Sequence, residues 1–109
     1  MAMFYLSFAD DEGFLGGITV TDVSNIQEAL RKTWALKQNP GGQVAFVQVD
    51  ELRVPFVPPK FCNRLMNKDE LMESDRIMQQ VFKEHGLTEI PDYSVTVQYF
   101  DSNKSYLLH

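Results

Sequence analysis

The stretch MFYLSFADDEGFLGGITV, residues 3–20, decides the fold. Its first half alternates, with Phe4, Leu6 and Phe8 on one side, and this period of two predicts a half-buried strand over residues 3–9. An acidic turn at residues 10–13 and a second apolar run over residues 14–20 predict a strand that pairs back as a hairpin. The Gly16-Gly17 pair within that run indicates a β-bulge or a close backbone approach.

Two helices are predicted downstream of this hairpin. Ser24 as N-cap, with Gln27 three residues on, predicts a first helix that runs to about residue 38, where the sequence NPGG at 39–42 stops it. Asn67 with Glu70 repeats the cap pattern for a second helix that ends near His85. The apolar residues predicted to be buried are Ile26, Ala29, Leu30, Thr33 and Trp34 in the first helix and Leu71, Met78, Val81 and Phe82 in the second.

The remaining elements complete a predicted α+β fold. Residues 44–49 are apolar on both faces, which predicts a central strand, and residues 93–99 alternate cleanly enough to predict a last strand with one wet face. We expect a four-stranded, mostly antiparallel sheet with two helices packed on one face. The whole chain, residues 1–109, is expected to form one domain, with Met1-Ala2 interpreted as a cloning remnant and residues 101–109 as a loose or edge-pairing tail.

Composition restricts the class of partner. The 109 residues are 44% hydrophobic and carry a formal net charge of −5, which is ordinary for a globular domain but opposes general affinity for nucleic acid or for anionic lipid. The single cysteine, Cys62, allows no intrachain disulfide, and the first residues do not resemble a signal peptide. A cytoplasmic protein is expected from these features.

No pattern of catalytic residues is evident, so a non-enzymatic protein without cofactor or metal is expected. His85 and His109 are far apart in sequence, and Cys62 has no cysteine partner for a metal. His85 is interpreted as a helix-end residue and Cys62 as a buried, inert thiol. The chain also lacks a phosphate-binding loop, a dinucleotide fingerprint and a nucleophile elbow.

One segment favours ligand binding. Residues 53–68 contain four basic residues and no acidic one, and the four are Arg53, Lys60, Arg64 and Lys68. With Phe61 among them, they predict a site for a small anionic or nucleotide-like ligand. The alternative is that these cations only form ion pairs with the acidic cluster of residues 69–75 or with Asp50 and Glu51.

A second candidate surface combines Trp34 with Gly41 and Gly42. Small residues let a ligand approach the backbone, and an indole ring offers a stacking face. The alternative is that Trp34 belongs to the core and that the glycines only end the helix.

Four short motifs together resemble a family of small uncharacterised proteins of phages and bacterial genomes. They are FYLSF at 4–8, FLGG at 14–17, NPGG at 39–42 and NRL at 63–65. The resemblance implies an accessory or counter-defence factor of a phage or mobile element, acting in the cytoplasm of a bacterial host, and it supplies no catalytic residues. Two modes of action are expected: binding of a small anionic or nucleotide ligand, or inhibition of a host protein through an acidic surface or a sheet edge.

Overall fold

The computed structural model describes residues 1–87 and the backbone of residues 99–101. The predicted α+β class, with two helices and an antiparallel sheet, is confirmed. In chain order the elements are β1 (Ala2–Asp10), β2 (Gly13–Val23), α1 (Ile26–Ala35), β3 (Gln43–Gln48), two 3-10 turns (Val54–Phe56 and Pro59–Phe61), α2 (Lys68–Glu84) and β4 (Tyr99–Asp101).

The sheet has the order β2-β1-β3-β4, with antiparallel pairing throughout. Three long strands form its body, and β4 adds three residues beside β3. Apart from Tyr99, the strand predicted over residues 93–99 lies outside the described residues, as do residues 102–109 of the predicted tail. Asp101, the first residue of the predicted tail, pairs with Gln43 as the last residue of β4, which agrees with the edge-pairing alternative at that residue.

The predicted hairpin and its bulge are both present. Phe8 pairs with Gly16 while Ala9 pairs with Phe14, which leaves Leu15 as the extra residue of the bulge. The backbone at Gly16 has φ +150°, a conformation that side chains other than hydrogen rarely adopt. The sequence pattern therefore located the bulge within two residues.

The two helices lie on opposite faces of the sheet, so the prediction of one shared face is wrong. On the face that carries Leu6, the Leu6 face, α1 packs Ala29 and Leu30 against the strands. On the other side, the Tyr5 face, α2 is so close that a Cβ on Gly17 would lie 2.5 Å from Tyr5 Oη and 2.9 Å from Leu71 Cδ1. Because β3 is apolar on both faces, each face needs its own cover.

The first helix begins one residue later and ends earlier than predicted. Asn25, not Ser24, is the N-cap, because its Oδ1 accepts the backbone N–H of Glu28 at 2.8 Å. The helix ends at Ala35, where Lys37 turns left-handed with φ 59° and the N–H of Gln38 donates to the carbonyl of Thr33 at 2.8 Å. This early end leaves Trp34 37% exposed, so Trp34 does not belong to the buried stripe.

The ends of the second helix match the prediction, but its packing does not. Asn67 and Glu70 form the reciprocal capping box, and Gly86 follows the helix with φ +76°. Ser74 is the one fully buried residue of α2. The predicted stripe is only half-buried, and its members are Leu71, Met78, Val81 and Phe82. The helix therefore contacts the sheet, but its apolar side chains are not fully buried against it.

Residues 62–66 run along the outer edge of β2 and cover it. Gly17 and Met66 exchange two backbone hydrogen bonds of 3.0 and 2.8 Å, and the N–H of Asn63 donates to the carbonyl of Thr19 at 2.6 Å. The Asn63 side chain also accepts the N–H of Thr21 at 3.2 Å and donates to its hydroxyl at 2.9 Å. Through these hydrogen bonds the NRL motif holds the end of the preceding segment, which contains Pro55, Pro58 and Pro59, against the edge of β2.

Candidate functional site

A cavity of about 710 Å³ lies between α2 and the Tyr5 face, and we call it the α2 groove. Its walls are mainly apolar, and prominent among them are Tyr5, Val47, Leu71, Met72, Met78 and Phe82. Near the N-terminal end of α2, Leu71 lies close to the sheet at Gly17, while the apolar side chains of Met72, Met78 and Phe82 line the groove and are not fully buried. Ligand sites in proteins are concave and mostly apolar in the same way.

Tyr5 gives the floor of the groove its polar group. It pairs with Thr19 on one side and Val47 on the other, and all three residues line the cavity. Burial, reinforced by the nearby carboxylate of Asp75, raises the pKa of the Tyr5 phenol above its usual value. The phenol therefore stays protonated at neutral pH and is a hydrogen-bond donor rather than a base.

A buried arginine closes one end of the groove. Arg53 is 8% exposed, and its Nη1 donates to Asp50 Oδ2 at 2.6 Å while its Nη2 donates to the carbonyl of Leu87 at 3.3 Å. Its guanidinium carbon also lies 5.5 Å from the ring centroid of Phe82. Arg53 therefore joins the loop after β3 to the end of α2, and its charge is already matched by Asp50.

The basic segment does not converge on one anion site. Arg64 Nη1 donates to Glu70 Oε2 at 2.7 Å. This hydrogen bond is the main reason that the pKa of Glu70 lies below its usual range, and the hydrogen bond from the backbone N–H of Asn67 adds to the effect. Lys60 Nζ lies 5.1 Å from the ring centroid of its neighbour Phe61, which is itself buried in the body of the protein. Of the predicted ligand residues, only Arg53 and Lys68 line the α2 groove.

The surface predicted at Trp34, Gly41 and Gly42 lies outside the groove lining. A Cβ on Gly42 would lie 2.5 Å from the carbonyl oxygen of Ala9 and 3.0 Å from Leu15 Cδ1. At Gly42 a close approach is therefore made by β1 of the same chain. Gly41 has φ +85°, and its backbone N–H donates a hydrogen bond of 2.8 Å to Asn39 Oδ1.

Cys62 lies beside the covered edge of β2, where its thiol is 3.7 Å from the carbonyl of Pro58. His85 stacks on Phe56, with ring centroids 4.0 Å apart. In residues 1–87, no group of three or more metal-ligating side chains is present. The contacts of both residues are those of structural side chains.

The Cys62 thiol is expected to react with iodoacetamide more slowly than a free cysteine peptide at pH 7.5. The pKa of the thiol is raised mainly by burial and in addition by the negative charge of Asp22, while the positive charge of Lys32 lowers it by less. The fraction of thiolate is therefore low at neutral pH. The rate should rise with pH only above the usual thiol range. Cys62→Ser should fold, with a stability loss of about 1 kcal/mol, and should keep its binding activity. A folded Cys62→Ser variant without activity would contradict the structural role.

Three residues that matter for this site were not among those predicted from sequence. Tyr5, Phe14 and Met72 all line the groove. Met72 lies outside the regular apolar stripe of α2, and Phe14 begins a strand beside an acidic turn. The sequence signal that could have identified the site was Met72, because the helical spacing predicts that this apolar residue faces solvent.

Comparison with protein-family models, with curated protein sequences and with solved structures finds no match for this chain. None of the helices in the described part of the chain is long and apolar enough to cross a bilayer. The fold and the groove define an α+β protein whose candidate site is an apolar groove with charged residues at its rim.

Proposed function

We propose that this protein is a non-enzymatic binding protein that recognises a protein partner at the mouth of the α2 groove. The observation that carries the proposal is the exposure of two large apolar side chains that line the same groove, Phe14 at 45% and Met72 at 63%. We call this pair the Phe14–Met72 patch. Apolar side chains that cluster at a concave surface are the usual centre of a protein interface.

Charge around the patch favours a basic partner. Asp69 and Asp75 lie three residues before and three after Met72 on α2, and Lys68 and Arg76 lie four residues before and after it. Because Arg76 is paired with Glu73, acidic charge is in excess around Met72. The exposed acidic turn at residues 10–12 precedes Phe14. An apolar centre within a charged rim is the common anatomy of an interface, and a net charge of −5 would speed the approach of a basic protein.

The small anionic or nucleotide ligand is less well supported than a protein partner. Two of the four cations on which it depends are held in ion pairs, Arg53 with Asp50 and Arg64 with Glu70. Lys68 lines a groove whose walls are mainly apolar, and it is accompanied there by Asp75. At Arg53 a phosphate would have to displace the Asp50 carboxylate from a buried pair, which is costly, whereas the Arg64–Glu70 pair is exposed and is worth little.

The proposed partner is a host protein if the chain acts in the setting that its motifs imply. A phage or mobile-element accessory protein acts against host factors, and a counter-defence factor would block one by occupying its surface. Methionine suits such a role because its flexible thioether adapts to irregular partner surfaces. The support here is the motif resemblance together with Met72 at the groove mouth.

Met72→Asp is expected to abolish retention of the partner when the tagged protein is incubated with bacterial lysate and bound proteins are quantified by mass spectrometry. A charge at the centre of the patch opposes burial of that surface, and the loss should be at least about tenfold, because loss of a central contact typically costs about 2 kcal/mol or more. Leu52→Asp is the matched control, since Leu52 is 64% exposed but does not line the groove.

The true partner is the protein retained by wild type and Leu52→Asp but lost from Met72→Asp. Its capture should also weaken as salt is raised, because exposed charges are screened beyond about 8–10 Å at physiological ionic strength. Equal retention by all three proteins would refute the Phe14–Met72 patch as the recognition surface.

A further inference from the structure

Two hydroxyl groups at the floor of the α2 groove lack a hydrogen-bond partner among the described residues. They belong to Tyr5 and Thr19, which pair across β1 and β2 and both line the groove. Thr19 is only 4% exposed, and a buried hydroxyl without a partner is rare and unfavourable. A polar group of a ligand that enters the groove would supply the missing partner.

The two hydroxyls are close enough for one ligand group to reach both. A Cβ on Gly17 would lie 2.5 Å from Tyr5 Oη, so the phenol extends over Gly17. Gly17 and Thr19 are two residues apart on β2 and share a face of the sheet, which separates them by about 6.6 Å. Two hydrogen bonds of ordinary length, about 2.9 Å each, span most of this distance.

A carboxylate lies beside these hydroxyls. The same Cβ on Gly17 would lie 2.9 Å from Leu71 Cδ1, and Asp75 follows Leu71 by one helical turn and lines the groove. After burial, the charge of Asp75 is what raises the pKa of the Tyr5 phenol, so the carboxylate is near the phenol. Within residues 1–87, the Asp75 carboxylate forms neither a hydrogen bond nor an ion pair.

The other charged residues that line the groove do not neutralise this carboxylate. Arg53 is paired with Asp50, and the pair brings no net charge. Lys68 begins α2 seven residues before Asp75, which is about 10.5 Å along the helix axis. The floor of the groove near Tyr5 and Thr19 therefore carries the negative charge of Asp75.

The chemistry of this floor matches an ammonium group. An ammonium has three N–H donors and no acceptor, and here one carboxylate and two hydroxyl oxygens can accept. The walls beside the floor are apolar, and Val47, Met78 and Phe82 are among them. An alkyl stem can lie along such walls while its charged end meets polar groups, as the stem of a lysine side chain does.

We propose that the floor of the α2 groove binds a primary ammonium group on an apolar stem, with Asp75 as its counter-ion and the Tyr5 and Thr19 hydroxyls as acceptors. Free alkylamines carry such a group, and so does a lysine side chain of a protein. The site lies at the floor of the groove, whereas the Phe14–Met72 patch is exposed at its mouth. The inference therefore does not depend on the proposed function.

Titration of the full-length protein with n-hexylammonium at pH 7, followed in two-dimensional amide NMR spectra, tests the site. The amine is protonated at this pH, because alkylamines such as lysine have a pKa of about 10.4. A Kd of about 1 mM is expected for so small a ligand, with shifts at Thr19, Leu71 and Asp75. Hexanoate carries the opposite charge and hexyltrimethylammonium has no N–H donor, so both should bind at least about tenfold more weakly.

Hexanoate or hexyltrimethylammonium binding as tightly as n-hexylammonium would overturn the proposal. The absence of shifts at these three residues would overturn it as well.

Asp75→Asn should weaken the binding of n-hexylammonium at least about tenfold, because the hydrogen bond to a charged acceptor is lost. Asp69→Asn is the matched control, since it removes the same charge from the same helix at a residue that does not line the groove. The control should change the Kd by less than about twofold. Equal weakening by the two variants would show that only the net charge attracts the amine, and would overturn the proposal.

Thr19→Val distinguishes a hydroxyl that binds a ligand from one that stabilises the fold. It should weaken the binding of n-hexylammonium about threefold, while the melting temperature of the free protein stays the same or rises, because the hydroxyl has no partner to lose. A lower melting temperature with unchanged binding would mean that the hydroxyl serves the fold, and would overturn the proposal.

Competition identifies the source of the ammonium group. If n-hexylammonium, but not hexanoate, releases the protein retained from lysate, the group belongs to a lysine of that partner. If the amine binds but releases no protein, the ligand is a free alkylamine. Because the titration uses the isolated protein, it tests this site even where the proposed function fails.

Discussion

Replacing Phe8 by alanine is expected to lower the free energy of unfolding by about 3–5 kcal/mol, which is a large part of the 5–15 kcal/mol that a domain typically has. Phe8 is 0% exposed and lies in the core cluster with Leu6, Ile18 and Val44. Its removal takes away the transfer free energy of an aromatic ring and leaves a cavity between the central strand and α1, which the close-packed surroundings fill only in part.

Phe14→Ala is the control for this measurement, because it makes the same chemical change on the neighbouring strand at a side chain that is 45% exposed. Its cost should be about 1 kcal/mol or less, since little surface is removed from contact. Urea denaturation followed by circular dichroism measures both variants. Similar losses for Phe8→Ala and Phe14→Ala would mean that the core is not centred on the Leu6 face.

Gly42→Ala is expected to cost about 2–5 kcal/mol, from a left-handed backbone and from overpacking together. Gly42 has φ +77°, and its added Cβ would lie 2.5 Å from the Ala9 carbonyl oxygen. That oxygen is backbone of the central strand, so it cannot move aside without disturbing the pairing of Ala9 with Gln43. The clash therefore cannot be relieved by a simple side-chain rotation.

Gly86→Ala separates the two contributions. Gly86 has nearly the same φ, +76°, but nothing lies within 4 Å of its added Cβ. It should show only the backbone cost of about 1–2 kcal/mol. The difference between the two variants, measured by thermal and urea unfolding, reports the close approach of β1 at residue 42. If Gly42→Ala were no worse than Gly86→Ala, the contact with Ala9 would not be tight in solution.

Local sequence signals were accurate for most of the elements whose cause is local. The alternation of residues 3–9 gave β1, and the glycines at 16–17 located the bulge. Asn67 with Glu70 correctly predicted where α2 begins, and Gly86 correctly predicted where it ends. At α1 the same reasoning was wrong by one residue, since Ser24 and Asn25 are both good N-caps and the contact with Glu28 chose between them.

The candidate site was less predictable, because its members come from distant parts of the chain. The cations of residues 53–68 had two interpretations in sequence, an anion site or ion pairs with residues 69–75 and with Asp50-Glu51, and the sequence alone could not choose between them. Arg64 is neutralised by Glu70 across the cap of α2, and Arg53 by Asp50 in the preceding loop. Phe61, predicted to face a ligand, is buried instead.

The sequence by itself determined the α+β class, the β1–β2 hairpin and both ends of α2, because periodicity and caps act over a few residues. Only the tertiary structure decided that α1 and α2 lie on opposite faces and that an apolar groove opens between α2 and the sheet. The apolar stripe of an amphipathic helix indicates that one side of the helix is buried, but it does not indicate which face of the sheet the helix packs on. On the Tyr5 face, the absence of a side chain at Gly17 lets Leu71 of α2 come close to the strands.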